Sequence, residues 1–584
     1  VMQPFVLFDD AVAGQAKLLH GFVDEDVLDV WAGLDDCLQR GWAQGHHAAL
    51  AVDYAFAAGG VARVLWFTHQ EPVEDVNTWL AQYSGDAGVS CPQPNISESE
   101  YLDTVARIQA AIARGETYQI NYTQRLHLHA YGAPPRLYAR LRQNVPYAAL
   151  MRLPARADAP DWLLCFSPEL FLRIDETGLI RTEPMKGTAP RLGDSQDAQR
   201  AESLRQDPKN RAENTMIVDL LRNDLGKIAE TGSVSVPEPF KVSPFGSVWQ
   251  MTSTVCARLP AATPLATVLS ATFPCGSITG APKRKSMEII DLLETAPRGL
   301  YTGSIGWIEP CPDSVLGYRA CLNVLIRTLC LYPNHQDKSL WRGEYGVGSG
   351  IVTDSIAADE YTECAWKARF LSELRPEHGI LETMRVENGT IPHLPLHLQR
   401  LQESAHALNI PCQTAAIYQQ ACARAAALGQ GVFRLRLVLS PQGECGWTDA
   451  PLSTAPEPYV LISETVLPTH DFLRRHKTTR RQIFDQTWRN AQAQGAFDAL
   501  FFDESGALLE GGRSSVMIEL DGEMLIPDGD VLHGIARRWL CAAYPQVKIA
   551  RISRDMLFRA EKICLGNALH AWFTVKLLQK NHII

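Results

Sequence analysis

The strongest constraint on how this chain folds is a break near residue 374. A helical run ending near Leu371 meets Arg375-Pro376-Glu377-His378-Gly379, and a strand-like run, Ile380 to Val386, starts directly after it. Proline cannot continue a helix and glycine marks its end, so the chain is expected to divide there into domains of residues 1–373 and 379–584. At 584 residues, 46% of them hydrophobic, each part is long enough to bury a core. Upstream of the break, β-rich runs such as Trp162–Phe166 and Cys321–Ile326 mix with helical stretches, without a regular βαβ alternation. That pattern predicts the α+β class with large sheets.

The charge balance, Lys+Arg 55 against Asp+Glu 65, argues against nucleic-acid and anionic-membrane binding. Any anionic ligand must therefore be met by local cations or a metal. The longest apolar stretch, Ala48 to Phe67, is interrupted by Asp53, Gly59-Gly60 and Arg63, so it cannot cross a bilayer as one helix. The amino end, Val1-Met2-Gln3-Pro4 leading into Phe5–Asp10, has neither a basic segment nor a small-residue cleavage site, and no secretory signal is expected. The 14 cysteines include no C-x-x-C pair and are scattered, as expected of reduced thiols in a cytoplasmic protein.

The most informative segment is Glu183-Pro184-Met185-Lys186-Gly187-Thr188. A lysine between Pro184 and Gly187 can approach a ligand closely, and if buried it would lose its proton and become a nucleophile. From spacing alone a solvated loop lysine is the commoner reading. Apolar residues at 217, 220, 221 and 225 mark a helix with Glu213 in its first turn, and Asp359-Glu360-Tyr361-Thr362-Glu363 opens another that continues through Phe370. Glu360 and Glu363 share a face, so with Glu213 they could hold Mg²⁺ through hard oxygen ligands. Complementing the helix dipole is the commoner role for any one acid near a helix start. Tyr345-Gly346-Val347-Gly348-Ser349-Gly350-Ile351 reads as a turn whose N–H groups could meet a carboxylate, and Gly276 to Lys283 as a turn before a helix. Neither is a nucleotide motif: Ile351 replaces the third glycine of one, and the other lacks a Gly-Lys-Ser/Thr ending.

Together these segments resemble the chorismate-utilising enzymes over most of residues 1 to 372. The matching pieces are Gly115–Asn121, Ser167-Pro168-Glu169, the Lys186 segment, Glu213–Asp224, Ser277–Lys283, Arg298–Tyr301, Arg327, the Gly348–Gly350 turn and the Glu360–Lys367 helix. The resemblance implies that family's fold, with chorismate as substrate. It implies Mg²⁺ on Glu213 and Glu363 with Glu360 close by, the metal meeting one substrate carboxylate. Ser277, Tyr301, Arg327, Lys367 and the turn Gly348-Ser349-Gly350 are implied to bind the substrate. At position 186 anthranilate synthases typically carry alanine, whereas aminodeoxychorismate synthase component I carries lysine. The family mechanism has this lysine attack C2 of chorismate as the 4-hydroxyl leaves, after which ammonia attacks C4 and expels the lysine. Glu169 is implied as the acid that protonates the departing hydroxyl. One departure is Gln250, where a histidine associated with pyruvate loss in the anthranilate branch is usual. Glutamine suits a synthase that retains the enolpyruvyl group.

Gly443-Glu444-Cys445-Gly446-Trp447 fails the last position of a G-x-C-x-G glutaminase elbow, so ammonia is expected from a separate glutamine amidotransferase subunit or from solution. In the second domain, His393 and His397 are a weak zinc signal, lacking the H-E-x-x-H glutamate and split by Pro395. Beside Glu382-Thr383-Met384-Arg385 they instead resemble the fold-type IV pyridoxal-phosphate enzymes, a group containing aminodeoxychorismate lyase, over about residues 379 to 580. That resemblance implies Arg400 and the Gly534-Ile535-Ala536-Arg537 helix start for the cofactor phosphate, Lys477 as Schiff-base lysine, and Glu510 on the pyridine nitrogen. Gly566-Asn567-Ala568 would close the site. Free-standing relatives carry an additional strand and turn before Glu382, for which the linker here leaves little room.

The combined expectation is a bifunctional enzyme converting chorismate to 4-amino-4-deoxychorismate and then, by eliminating pyruvate, to 4-aminobenzoate. A homodimer through the second domain is a further possibility. The alternatives are an anthranilate or isochorismate synthase joined to a class IV aminotransferase, or a second domain that is regulatory and inactive.

Overall fold

The computed structural model describes residues 2–245, 248–452, 457–579 and 582–583. The outermost residues of the expected domains, Val1 and Ile584, lie outside the described residues. Helices and strands mix in both halves, giving the α+β class. The chain divides into two units. The first holds residues up to Gly85, Pro92–Pro333 and Trp341–Ser372; the second holds Asp86–Cys91, Asn334–Leu340 and the chain from Glu373 onward.

An extended, mainly antiparallel sheet runs through the first unit. From Gln15–Leu28 it passes one way through Phe5–Asp10, Tyr147–Arg152, Trp162–Ser167, Thr328–Pro333 and Leu340–Ile351 to Gln119–Tyr131. The other way it passes through Ala62–Val73, His47–Val52, Ser304–Cys311, Gly317–Asn323, Leu170–Ile174 and Leu179–Glu183 to Val248–Arg258. Met185–Pro190 and Ser235–Phe245 both pair with Val248–Arg258. Trp162–Ser167 is buried at every position, which is why it reads as a continuous apolar run rather than an alternating one. The apolar stretch from Ala48 to Phe67 falls in two adjacent strands, His47–Val52 and Ala62–Val73.

Three local expectations change. The helix bearing Glu213 starts earlier, at Pro208, because the Asp207 side chain accepts from the Asn210 N–H at 2.8 Å and proline fits the first helical position. Glu213 therefore lies in the second turn. The helix opened by Asp359 stops at Lys367, and Arg369–Ser372 forms a separate short helix. Gly346, Gly348 and Gly350 lie in the strand Leu340–Ile351 rather than in a turn. A Cβ at Gly346 would overlap the Tyr301 ring, and one at Gly348 would overlap the Tyr122 carbonyl, so close approach is what requires glycine there.

In the second unit, Ile380–Glu387, Val432–Leu439 and Cys445–Pro451 form a three-stranded antiparallel sheet, and the helix Leu394–Ala407 lies against its first strand. A mixed sheet follows. Tyr459–Leu467 runs parallel to Asp498–Asp503 and Ala571–Gln579, and Lys562–Asn567 joins the latter antiparallel to Ser515–Leu520. Val460, Leu500, Val516, Ile518 and Leu565 form the centre of its core. The two early segments are tied into this unit by Asp86, which pairs with His378 and Arg480 at 3.1 Å each, and by Asp337, which pairs with Arg475.

Candidate active sites

Lys186 stands on the strand Met185–Pro190, half-buried. Burial pushes its amine below the ordinary lysine range, opposed by the charges of Glu213, Glu363 and Glu169 and helped by Lys367. Glu169, 3% exposed, sits at the junction of Trp162–Ser167 and Leu170–Ile174, where its N–H donates to Ser167 Oγ at 3.2 Å. Burial pushes its carboxyl up to about 7, against the lowering effects of Ser277 and Lys186. Ser277 is buried on a short 3₁₀ turn, Gly276–Ile278.

Glu360 is buried and accepts from Ser355 Oγ at 2.7 Å. Glu363 pairs with Lys367 at 2.7 Å and is held below the ordinary range, first by that ammonium. Glu213 is raised by burial and, further, by the charges of Glu360 and Glu363, so the three carboxylates share one field. They do not gather as a closed cage. Among the described residues, the set of three ligating side chains within 4.8 Å of one another is Asp86, Glu377 and His378, in the second unit.

Lys367 donates to the Gly348 carbonyl at 2.7 Å. Burial would lower its amine, but Glu363 beside it outweighs that and raises it. Arg327 adopts the left-handed region at φ 49°, a strained conformation for arginine. Its guanidinium, lowered by burial, has no hydrogen-bond or ion-pair partner among the described residues, which suits a ligand carboxylate. Tyr301 is buried under Arg125, 4.8 Å from its ring, and its hydroxyl is pushed up to about 12 by burial. The buried Ser349 hydroxyl bonds Tyr101 Oη at 3.0 Å. Gln250 lies in register with Thr188, two residues from Lys186, with its buried Oε1 unpaired. The structure thus draws Lys186, Glu169, Glu213, Glu363 and Lys367 into one charged set from distant segments, with Arg327 coupled to Glu169.

The second unit holds a cavity of about 810 Å³ lined by Arg400, Lys477, Glu510, Gly534, Ile535 and Gly566–Ala568, among others. Ala536 is buried but is not part of the lining; its carbonyl accepts from Trp572 Nε1 at 3.0 Å. Lys477 follows a short 3₁₀ turn, Phe472–Arg475, and burial together with Arg481 and Arg400 lowers its amine to about 7. Glu510 accepts from the Leu532 N–H at 3.2 Å, and burial pushes its carboxyl up to about 7. Arg400 grips Glu382 with Nε at 2.8 Å and Nη2 at 2.6 Å, and His397 Nδ1 meets the same carboxylate at 2.6 Å. The His397 ring is therefore engaged by Glu382. Burial would raise Glu382, yet Arg400 and His397 hold it at about 2.

Six arginines of this lining were not anticipated: Arg434, Arg436, Arg474, Arg480, Arg481 and Arg513. Arg481 donates to the Gly512 carbonyl, and Arg513 lies 3.5 Å from the Trp488 ring centre. Arg434 and Arg436 alternate with buried Leu435 and Leu437 on the strand Val432–Leu439, so both project from one face. Neither has a hydrogen-bond or ion-pair partner among the described residues. Their i, i+2 spacing was the available signal.

Residues 62–373 match the chorismate binding enzyme family and residues 379–578 the class IV amino-transferases. The chain belongs to the chorismate binding enzymes and carries a class IV aminotransferase domain after that part. Aminodeoxychorismate synthase component 1 of Klebsiella aerogenes is 43% identical over 272 residues, covering 46% of this chain and 56% of that protein. The Escherichia coli K12 protein of that name is 40% identical over 286 residues, covering 48% and 59%. The chain thus spans somewhat over half the length of these curated relatives. The menaquinone-specific isochorismate synthase of Escherichia coli shares the fold at TM-score 0.51 and 18% identity, over 64% of this chain and 89% of that one. No helix of the described residues is long and apolar enough to cross a membrane.

Proposed function

We propose that the chain makes 4-aminobenzoate from chorismate in two steps, one in each part, residues 1–373 and 379–584. The observation that carries the first step is the half-buried amine of Lys186, set among Glu169, Glu213, Glu363 and Lys367. Its neutral form would attack C2 of chorismate while Glu169, protonated near pH 7, gives its proton to the departing 4-hydroxyl. Ammonia then adds at C4 and the C2–nitrogen bond to Lys186 breaks, giving 4-amino-4-deoxychorismate. Arg327 and Lys367 would take a substrate carboxylate, with Tyr301, Ser277 and the Gly348–Gly350 backbone walling the site. Glu213, Glu360 and Glu363 offer hard oxygens that would hold Mg²⁺, whose charge would bind the other carboxylate. Ammonia would come from a separate glutamine amidotransferase subunit. The fourteen free cysteines support a cytoplasmic setting.

For the second step, Glu510 fits pyridoxal phosphate, since a buried carboxyl near 7 would ionise against a protonated ring nitrogen. Arg400 and the helix start at Gly534 and Ile535 would hold the phosphate, and Lys477 would anchor the cofactor. When bound, that cofactor would supply an electron sink for a carbanion beside an amine. Lys477, neutral above about pH 7, is the base for the proton at C4 of the substrate. The unpaired Arg434 and Arg436 support a dicarboxylate rather than a branched-chain monocarboxylate at this cavity. Two copies joining through this part would suit the reading but are not needed for it. Incubation of the chain with chorismate, ammonium, Mg²⁺ and pyridoxal phosphate should give 4-aminobenzoate; anthranilate or salicylate as main product would overturn the reading.

A further inference from the structure

Gln119 belongs to no role assigned so far, yet it is fully buried and neither Oε1 nor Nε2 of its side chain has a hydrogen-bond partner. Its main-chain carbonyl is engaged twice over. The residue is in register with Ala281, and the carbonyl accepts from Thr117 Oγ1 at 3.1 Å and Ser286 Oγ at 3.2 Å. The backbone is thereby pinned, while the carboxamide is left without a structural task.

Its surroundings indicate what that task is. A Cβ placed on Gly350 would collide with two groups at once, Lys186 Nζ and Gln119 Nε2, the latter at 2.6 Å. Amine and amide therefore converge on one bare Cα, which only glycine provides. A half-turn of the carboxamide exchanges its oxygen and nitrogen, so either can face the amine. We infer that Gln119 is the positioning residue for Lys186, its amide oxygen accepting an N–H of the amine and aiming the lone pair toward the substrate. An amide suits this better than a carboxylate, since it orients the amine without a negative charge that would keep it protonated. Glu213, Glu363 and Glu169 already exert that pull. The inference rests on the reading of Lys186 as nucleophile.

The test compares Gln119→Leu and Gln119→Glu with the parent chain, following chorismate consumption with ammonium and Mg²⁺ across pH. Gln119→Leu should lower kcat about tenfold or more while leaving KM for chorismate within about twofold. Its melting midpoint should hold or rise, because two buried unpaired polar atoms are removed. Gln119→Glu should move the rising limb of the pH profile upward by about one unit or more, with activity recovering at high pH. The pH dependence of Lys186 acetylation by acetic anhydride, read by mass spectrometry, should shift alike, and it reports the amine even if the parent proves inactive on chorismate. Unchanged kcat in Gln119→Leu, a loss that merely parallels a fallen melting midpoint, or an unshifted Lys186 acetylation profile in Gln119→Glu would overturn the inference.

Discussion

Lys186 and Lys477 are both lysines that burial pushes toward neutrality, but their neighbours carry opposite charge. Around Lys186, Glu213, Glu363 and Glu169 favour the ammonium, while burial first and then Lys367 oppose them. Around Lys477, Arg481, Arg400 and Arg513 add to burial, with Glu382 opposing, and the amine falls to about 7. The same residue type is thus lowered against its neighbours in one place and with most of them in the other. Neutralising Glu213 and Glu363, as a divalent cation would, weakens the pull that opposes burial at Lys186 and so lowers its amine further. Each lysine also has a carboxyl near 7 in its own part of the chain, Glu169 in one and Glu510 in the other.

The sharpest way to break this comparison is to remove one lysine. Lys477→Ala should cut 4-aminobenzoate formation by about a thousandfold or more, while 4-amino-4-deoxychorismate accumulates at the parent rate. Chromatographic quantitation of both products checks this, and loss of both together would refute the separation of the sites. Glu169→Gln keeps the side-chain size and loses the proton, so chorismate consumption should fall by about 10²- to 10³-fold, with elimination from supplied 4-amino-4-deoxychorismate unchanged. Arg327→Ala should raise KM for chorismate by about tenfold to a hundredfold in steady-state assays, since a carboxylate would lose its cation.

The smallest effect is on stability. Below about pH 7 Lys477 is protonated in both folded and unfolded chains, and burying the charge is a constant cost. From about 7 up to the ordinary lysine value of 10.5, the unfolded chain holds a proton that the folded chain has released, so stability rises with pH across that window. Cofactor-free Lys477→Met should therefore melt a few degrees above the parent at about pH 7, by an amount of the size set by single-site changes. That gap should close toward pH 10.5. A gap independent of pH in calorimetry would show that packing, not charge, governs the difference.

Much of this was legible in the chain because it depends on local rules. The Pro376–Gly379 break, the α+β mixture, and the lysine-bearing and acidic segments follow from backbone limits and periodicity. The start of the Glu213 helix was misplaced, although Asp207-Pro208, a capping acid followed by proline, was the signal for it. The glycines at 346, 348 and 350 misled, because a turn and a crowded strand both demand glycine and only neighbours distant in sequence distinguish them. Arg434 and Arg436 were passed over since two exposed arginines on a strand look like a solvated face until the cavity they line is known. Gln119 stood out only as part of the matching Gly115–Asn121 segment, its own meaning lying in what surrounds it.

The sequence by itself determined which groups the chain owns and, through local stereochemistry, where most elements begin and end. Tertiary structure alone decided their chemistry. Whether an amine is neutral, a carboxyl protonated or a guanidinium unpaired depends on burial and on charges brought from remote segments. Those energies act through space and cannot be read along the chain.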